Sequence, residues 1–458
     1  MQVSSALVEK YNRPGPRYTS YPPAPHFRPG MTPEKVAAMI RADNERPDPE
    51  PLSLYVHLPF CRSLCYYCGC HMIVTHRPEK IARYLDYLEK EIALVSRWVA
   101  LDRTVVQLHW GGGTPTYLAP EQIVALMDLL RRHFRFAPDA EIGIEADPRG
   151  LTRAHLEAAR QAGFNRISFG VQDLDPTVQQ AIHRVQPYEQ VAQVTRWARE
   201  LGFESISYDL IYGLPHQHLT QFERTIRQVI DLGPDRISLF SYAHVPWKKK
   251  HQRLIREEWL PRPAEKLQLF LRAVELLTTE GGYRYIGMDH FARPEDPLSR
   301  ALDEGTLQRN FQGYSTHGGT ELYAFGISAI SQLRDAYVQN VLTLPEYYAA
   351  LDRGQLPVGK GYVLTEEDRL RRHVIMSLMC QFRLDIPDVE RRFGIDFAVH
   401  FADALTQLEE MEADGLVVRR PDAIEVTETG RFFIRNVAMA FDAYLQATSD
   451  RPMYSQTV

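Results

Sequence analysis

The sequence predicts an α/β protein whose core is a partial (β/α)6 barrel, with an N-terminal extension and a mostly helical C-terminal domain. Two observations carry this prediction: strand-like apolar runs alternate with amphipathic stretches from residue 52, and the pattern becomes mainly helical after about residue 364. Strands joined by helical crossovers run parallel, so we expect their carboxyl ends to meet at one edge. A chain of 458 residues with 44% hydrophobic and 24% charged residues can bury a large core.

Six strand-helix units make up the predicted barrel. The strand-like runs are LSLYVHL at 52–58, VVQLHW at 105–110, EIGIEA at 141–146, RISFGV at 166–171, SISYDLI at 205–211 and RISLFSY at 236–242. Helical patterns follow them, the first three at 79–99, 120–134 and 152–162. In both open sheets and barrels of this kind the chemistry lies in the loops after the strands.

The chain divides into three predicted parts. Residues 1–50 are rich in proline and aromatic residues, with one short helix near Pro33 to Arg41, and form an extension that we expect to be ordered against the rest. Residues 51–363 form the barrel domain, and residues 364–458 a winged-helix-like domain with the hairpin LVVRRPDAIEVT. Winged helices often bind DNA, but this one lacks a clustered basic recognition helix, so we favour a packing or lid role.

Charge and hydropathy exclude several classes of protein. The net charge of -5 and the pI near 6.4 give no basic field of the kind that binds nucleic acid. No apolar run reaches the ~18 residues that span a bilayer. Residues 1–15 contain Glu9, Lys10 and Arg13 and lack the apolar stretch of a secretory signal. We therefore expect a cytoplasmic monomer with neither a nucleic-acid partner nor a membrane span.

Four of the five cysteines lie close together, at positions 61, 65, 68 and 70, in the loop after the first strand. Cys380 lies in the apolar stretch VIMSLMCQF and is interpreted as a core residue. Clustered thiolates suit an iron–sulfur cluster, a zinc ion or a redox pair. A structural zinc site usually takes a second ligand pair from another segment, and the sequence shows none, so zinc would need all four clustered cysteines.

Further groups able to bind a ligand follow the next strands. Glycines 111–113, with Thr114 and Pro115, follow the second strand, where they allow backbone N–H groups to approach a charged ligand. Glu145 ends the third strand, Gln172 follows the fourth and Asp209 ends the fifth. Each side chain can instead cap a helix, and Arg184 can be a solvated helix residue. Their occurrence at successive strand ends favours one shared site.

The cysteine spacing, with Tyr67 before the third cysteine, resembles the defining motif of radical S-adenosylmethionine (SAM) enzymes. Other stretches, in order along nearly the whole chain, resemble the oxygen-independent coproporphyrinogen III oxidase family. They are YNRPGPRYTSYP, LYVHLPFCRSLCYYCGC, HWGGGTPTYL, IEADPR, GVQDLDPTVQ, DLIYGLP, SYAHVP, GMDHFARP, NFQGYST and GISAIS. The resemblance implies a radical-SAM barrel that binds cofactors at its mouth.

The resemblance also implies which residues hold the cofactors. One 4Fe-4S cluster would bind Cys61, Cys65 and Cys68. Of two SAM molecules, the first would meet Tyr55, Tyr67, Gly112, Glu145 and Ile330, and the second Gly113, Thr114, Gln172, Arg184, Asp209 and Ala243. Cys70, surplus to ligation, and Arg184 would serve catalysis, and we expect Arg184 and Gln172 to lie away from the cysteines. The family often has Phe at the position of Tyr67.

The implied reaction is the oxidative decarboxylation of two propionates of coproporphyrinogen III to vinyl groups, giving protoporphyrinogen IX in haem biosynthesis. It needs an external electron donor and acceptor. Propionates need cations, and the candidates are Arg13, Arg17, Arg309 and the run Lys248 to Lys250. The alternatives are a related haem-binding chaperone, a radical tetrapyrrole methyltransferase or ring-opening enzyme, and a DNA-binding regulator. Such chaperones generally lack the extension and carry an aromatic residue in place of Cys70.

Overall fold

The structure, a computed structural model, describes residues 5–445 and 454–457. Its N-terminal extension contains helices α1 (Ser5–Tyr11) and α2 (Pro33–Asn44). The Thr32 hydroxyl accepts a hydrogen bond from the Lys35 backbone at the start of α2, and Pro33 occupies the first turn, where no N–H partner is needed. None of the helices in this part of the chain is both long and apolar enough to cross a membrane.

The predicted strand-helix units are confirmed. They comprise β1 (Leu52–Leu58), β2 (Phe60–Cys61), β3 (Ile73–Val74), α3 (Pro78–Ser96), β4 (Thr104–Gly112), α4 (Pro120–His133), β5 (Arg135–Ala146), α5 (Arg153–Gln161), β6 (Arg166–Gln172), α6 (Pro176–Ala181), α7 (Tyr188–Glu200), β7 (Ser205–Tyr212), α8 (Leu219–Leu232) and β8 (Arg236–Ser241). Strands β1, β4, β5, β6, β7 and β8 pair side by side in parallel, in chain order. Their carboxyl ends therefore share one edge.

The sheet extends on both sides through strands that the sequence analysis did not predict. The elements are α9 (Pro263–Thr279), β9 (Arg284–Gly287), β10 (His290–Ala292), α10 (Pro297–Asp303), β11 (Gln308–Asn310), β12 (Gly313–Ser315), β13 (Glu321–Phe325), β14 (Ile330–Gln332), β15 (Ala336–Asn340), α11 (Leu344–Asp352) and β16 (Val358–Val363). The order is β16-β15-β14-β13-β1-β4-β5-β6-β7-β8-β10-β9. Strand β13 adds in parallel to β1, whereas β14 to β16 and β9 to β10 are antiparallel. The barrel remains open.

The C-terminal unit is mostly helical around a small sheet, as expected for a winged-helix-like fold. Its elements are α12 (Glu366–Gln381), β17 (Arg383–Asp385), α13 (Ile386–Phe393), α14 (Phe397–His400), α15 (Ala402–Ala413), β18 (Val417–Arg419), β19 (Ala423–Val426) and α16 (Ile434–Met439). The small sheet has the order β17-β19-β18. Cys380 is buried on α12, as predicted. The division at residues 50 and 363 stays a prediction, and parts of the first and last segments lie outside the described residues.

The N-terminal extension is ordered against both other parts. Lys10 pairs with Asp414 at 2.5 Å near the end of α15. The buried Arg435 on α16 donates to the carbonyls of Pro16 (2.9 Å) and Gln456 (2.7 Å). The extension therefore holds the C-terminal unit through backbone carbonyls and surface ion pairs.

A buried arginine joins the extension to the sheet. The Arg103 side chain is fully buried, 3.2 Å from the carboxylate of Asp43 on α2 and 3.1 Å from that of Glu321 on β13. It also donates to the Glu50 carbonyl at 2.7 Å. Burial and the neighbouring Asp43 raise the pKa of Glu321 to about 7, so the ionised form of Glu321 depends on Arg103.

A buried carboxylate, that of Glu91, joins helix α3 to the segments that follow β13. Glu91 on α3 accepts hydrogen bonds from the Gly326 backbone (2.7 Å), the Asn340 amide (2.7 Å) and the Tyr347 hydroxyl (2.6 Å). Burial raises the pKa of Glu91 to about 7, while the three donors favour its ionised form. The residue ties α3 to the turn after β13, to β15 and to α11.

Replacing Arg103 by methionine should lower the free energy of unfolding by ~3–5 kcal/mol, because the buried Glu321 would lose its counter-charge and Asp43 would keep only the partly exposed Arg46. Chemical denaturation measures the loss. Arg46 offers a matched control, since it pairs with Asp43 and Glu50 with 31% of its side chain exposed. Arg46→Met should cost under ~1 kcal/mol. Equal losses in the two variants would contradict the buried role of Arg103.

The pKa of Glu91 predicts a pH effect on stability. Its folded value near 7 lies above the ordinary 4.5, so the folded state binds the extra proton between these pH values. The contribution of Glu91 to the free energy of unfolding should therefore fall as pH rises from about 4.5 to about 7, by at most ~1.4 kcal/mol per pH unit. Urea denaturation at several pH values should show a shallower fall in stability in Glu91→Gln, with only the part due to groups such as Glu321 and Asp209 remaining. Glu89→Gln, on the exposed side of the same helix, should retain the full fall.

Candidate functional site

The cysteine loop is closed at its base by the pairing of β2 with β3. The Ile73 amide donates to the Pro59 carbonyl at 2.6 Å, and the Thr75 amide to the Cys61 carbonyl at 3.1 Å. Residues 62–72 therefore form a compact loop at the carboxyl end of β1. Its three cysteines, together with Cys61 at its base, line one cavity of about 380 Å³.

Three side chains that follow β8 hold the loop from outside. The bonds join Gln252 to the Tyr67 carbonyl (2.9 Å), His251 to the Cys68 carbonyl (2.8 Å) and Lys249 to the Cys70 carbonyl (2.9 Å). The sequence analysis missed this role, although Lys249 belongs to the lysine run considered for propionate binding. Its ammonium group instead donates to the loop that carries the cysteines.

The glycine segment runs directly beside the cysteine loop. The Gly113 amide donates to the Leu58 carbonyl at 2.9 Å. A Cβ atom on Gly113 would lie 2.6 Å from the Pro59 carbonyl, and one on Gly112 would lie 2.5 Å from the His57 ring. Gly112 also has a φ of +112°. Larger residues would push the segment away from the loop, so both glycines are needed here.

A polar chain connects the end of β1 with Glu145. The Glu145 carboxylate accepts from the Gly112 amide at 3.3 Å and lies 3.1 Å from His109 Nε2. The His109 ring stacks on Tyr55, with centroids 6.2 Å apart and planes at 12°. The Tyr55 hydroxyl in turn lies 3.1 Å from His57 Nδ1. Glu145 is thereby oriented by His109, and His57 holds the Tyr55 ring that stacks on His109; the sequence analysis missed both histidines.

The protonation of His57 follows from its partners. Its Nε2 lies 2.8 Å from the His71 carbonyl, which can only accept, so Nε2 carries the proton and Nδ1 accepts from the Tyr55 hydroxyl. Burial lowers the pKa of His57 to about 4, so the ring is neutral at pH 7. His57 and His109 both lie inside apolar strands, where a buried polar ring normally needs a partner. A histidine inside an apolar strand is therefore the sequence feature by which His57 and His109 can be found.

Arg184 lies beside the cysteines, so the expectation that it would lie away from them is wrong. Its Nη1 is 3.5 Å from the Cys65 sulfur and 3.0 Å from the Asp147 carboxylate. The cause is the turn after α6, where the Ile182 carbonyl accepts from the Tyr66 amide at 3.0 Å and holds the two loops together. Arg149, which the sequence analysis did not single out, approaches the same sulfur at 3.3 Å.

Gln172 and Asp209 also face the cavity. Gln172 is a non-glycine residue with a φ of +65°, at a bulge at the end of β6, and this backbone costs on the order of 1 kcal/mol. Asp209 accepts from the Ser168 hydroxyl at 3.4 Å. Burial, and then the nearby Glu145, raise the pKa of Asp209 to about 7. Strained and electrostatically perturbed residues of this kind concentrate at functional sites.

The structure brings nearly all the predicted site residues to one cavity. Those that line it are Cys61, Cys65, Tyr67, Cys68, Cys70, Gly112, Gly113, Thr114, Glu145, Gln172, Arg184, Asp209 and Ala243. Tyr55 and Ile330 are not among the lining residues. Tyr55 stacks on His109, which contacts Glu145, and Ile330 begins β14 and packs against an apolar group that contains Phe27 and Tyr337.

The thiol side chains have the chemistry of iron–sulfur cluster ligands. Among residues 5–445 and 454–457, no three His, Cys, Asp or Glu side chains converge closely enough to hold one ion. A zinc ion needs its thiolates within ~2.3 Å of one atom, whereas each ligand of a cubane cluster binds a different iron. A hydrogen bond from the Cys70 thiol lowers the pKa of Cys68 to about 6, and the same contact raises the pKa of Cys70. Cys70 therefore stays the protonated donor of this pair.

Comparisons with known proteins extend along the whole chain. Residues 55–229 match the Radical SAM superfamily and residues 364–433 the HemN C-terminal domain. A protein from Synechocystis named oxygen-independent coproporphyrinogen III oxidase is 46% identical over 100% of this chain and 98% of its own. The Escherichia coli K12 protein of that name is 47% identical, over 99% and 98%. The solved structure of E. coli coproporphyrinogen III oxidase (HemN), a radical SAM enzyme, gives a TM-score of 0.92 at 45% identity, covering 97% of this chain and 100% of that one.

Proposed function

Because the chain belongs to the oxygen-independent coproporphyrinogen III oxidase family, we propose that it converts two propionates of coproporphyrinogen III to vinyl groups, giving protoporphyrinogen IX. It is a radical SAM oxidoreductase of haem biosynthesis. The single observation that carries the proposal is the convergence of Cys61, Cys65 and Cys68 with the glycine segment and Arg184 on one cavity. Each propionate loses carbon dioxide, a proton and two electrons.

The three cysteines would hold the 4Fe-4S cluster and leave its fourth iron to SAM. When bound, the cluster would supply the electron that cleaves SAM to a deoxyadenosyl radical, which removes hydrogen from a propionate β-carbon. The residues of the chain bind and orient the cofactors and the substrate, and they exclude water from the cavity. Tyr67, Ile211 and Phe240 form an apolar part of the cavity wall, which favours dryness near the cysteines.

We assign two SAM molecules to this cavity. The first would meet Tyr67, Gly112 and Glu145, and the second Gly113, Thr114, Gln172, Arg184, Asp209 and Ala243. Carboxylates suit the ribose hydroxyls, and the buried Arg184 suits a methionyl carboxylate. Tyr55 would act as a positioning residue, through the His109 ring that contacts Glu145. Ile330 would contribute to binding the first SAM molecule although it is not among the residues that line the cavity.

Among the cations considered for propionates, Arg17 has the best position. It pairs with Asp289 and lies 5.8 Å from the centre of the Phe240 ring, which lines the cavity. Arg309 is buried behind it and donates to the Arg17 carbonyl at 3.2 Å. Arg13 is exposed on the extension. We therefore propose that Arg17 meets a substrate propionate.

The remaining assignments follow from the family and the composition. We propose a cytoplasmic monomer that takes electrons from an external donor and passes the remaining electron to an external acceptor. The winged-helix-like C-terminal unit would be a packing module, because its helix α16 bonds to the N-terminal extension through Arg435. We propose residues 1–50 for the extension, 51–363 for the barrel domain and 364–458 for the C-terminal unit.

Anaerobic incubation with a reductant, SAM and coproporphyrinogen III should give protoporphyrinogen IX and two molecules of carbon dioxide per substrate. Product analysis by chromatography and mass spectrometry measures the reaction. Arg17→Met should raise KM for the tetrapyrrole roughly tenfold or more, the effect of losing one charged hydrogen bond to the substrate. The matched control Arg13→Met should leave KM unchanged. A methylated or ring-opened product would contradict the proposed function, and so would haem binding without turnover.

The cysteines should divide into ligands and one non-ligand. Cys70→Ser should keep about four irons and four sulfides per chain, because three thiolates and SAM complete the cluster. Cys61→Ser, Cys65→Ser and Cys68→Ser should each lose the cluster. Iron and sulfide analysis after anaerobic reconstitution gives the result, and turnover of Cys70→Ser should also fall. Complete loss of iron from Cys70→Ser would mean an all-cysteine site and a different mechanism.

A further inference from the structure

Two arginines converge on one of the cysteine sulfurs. The Cys65 sulfur accepts from Arg149 Nη2 at 3.3 Å and from Arg184 Nη1 at 3.5 Å. Both guanidinium groups also bind the Asp147 carboxylate, at 2.6 Å and 3.0 Å. Two positive charges therefore face one negative charge, which leaves a net positive charge beside Cys65.

The Arg149 guanidinium is fixed independently of any ligand. Its Nε and Nη2 form a fork on Asp147 at 3.0 Å and 2.6 Å, and its Nη1 donates to the His183 carbonyl at 3.4 Å. The Arg149 backbone amide also donates to Asp147 at 3.0 Å. Since 21% of the side chain is exposed, solvent screens this charge only in part. The direction of the Arg149 Nη2 group toward the sulfur is therefore set by the fold.

The other two ligand cysteines have neutral donors in the same structure. The Thr114 hydroxyl lies 3.4 Å from the Cys61 sulfur. The Cys68 thiol meets the thiol of Cys70. The described contacts thus place cationic donors on Cys65 and neutral donors on Cys61 and Cys68.

We propose that Arg149 sets the reduction potential of the cluster through its hydrogen bond to the Cys65 sulfur. Reduction adds one negative charge, and a positive donor on a ligand sulfur stabilises that charge, which raises the potential. Arg149 thereby eases the electron transfer that begins each turnover, through its contact with the Cys65 sulfur at the cavity wall. The inference rests on the proposed function, because it needs the cluster to be bound at these cysteines.

The test compares Arg149→Leu with Arg153→Leu, which removes an arginine paired with Glu157 and Glu200 on the surface of α5. Iron and sulfide are measured first, and the midpoint potential is then determined by anaerobic titration followed by electron paramagnetic resonance, without SAM or substrate. Arg149→Leu should keep the cluster and shift its midpoint to a more negative potential. Arg153→Leu should match the unaltered protein, and Arg149→Lys should fall between the two.

An unchanged midpoint in Arg149→Leu with a full cluster overturns the inference. It is also overturned if the midpoint stays constant while KM for SAM rises, because Arg149 would then be a ligand of the methionyl carboxylate. If Arg149→Leu does not hold a cluster, Arg149→Gln carries the test, since it keeps an N–H donor and removes the charge. A midpoint potential in Arg149→Gln equal to that of the unaltered protein also overturns the inference. Absence of a cluster from the unaltered protein would instead reject the proposed function.

Discussion

The approach of the glycine segment to the end of β1 is the contact on which the site depends. Because Gly113 leaves no side chain between the two backbones, its amide reaches the Leu58 carbonyl and the Thr114 amide reaches that of Phe60. The same approach sets the position of the cysteine loop, which begins at Phe60. It also brings the Gly112 amide to Glu145, so a backbone constraint decides where the thiols and the carboxylate stand relative to one another.

Charged groups connect the parts of the molecule more than they stabilise any one part. Arg103 lies between α2 and the sheet, Glu91 between α3 and the strands beyond β1, and Arg435 between the C-terminal unit and the extension. A buried ion pair is weak evidence for net stability, since desolvation offsets most of its Coulomb energy. Its geometric demand is nevertheless strict, because a misplaced partner leaves a charge unpaired. These groups therefore select one relative arrangement of the parts.

Sequence patterns predicted the repeated strand-helix units of the barrel. They did not predict the short strands that extend the sheet on both sides. Strands β1 and β4 to β8 have apolar runs of six residues or more, each followed by an amphipathic helix, and this rhythm is readable. Strands such as β10, β11 and β14 have three residues each, too few to show a period. Nearly all the predicted site residues line the cavity because strand ends converge. The approach of Arg184 to Cys65 depends instead on a chain reversal at His183, with a φ of +56°, which no local pattern announces.

The N-terminal extension has a consequence for the time at which the molecule becomes complete during synthesis. Its residues are made early, yet Lys10 pairs with Asp414 and Pro16 with Arg435, residues that follow them by 404 and 419 positions. Contacts across so many residues form late, because the intervening chain must be ordered first. Arg17 meets Asp289 under the same condition. A nascent chain can therefore fold its central strands before these contacts form, and the extension takes its place only after the C-terminal unit has been made.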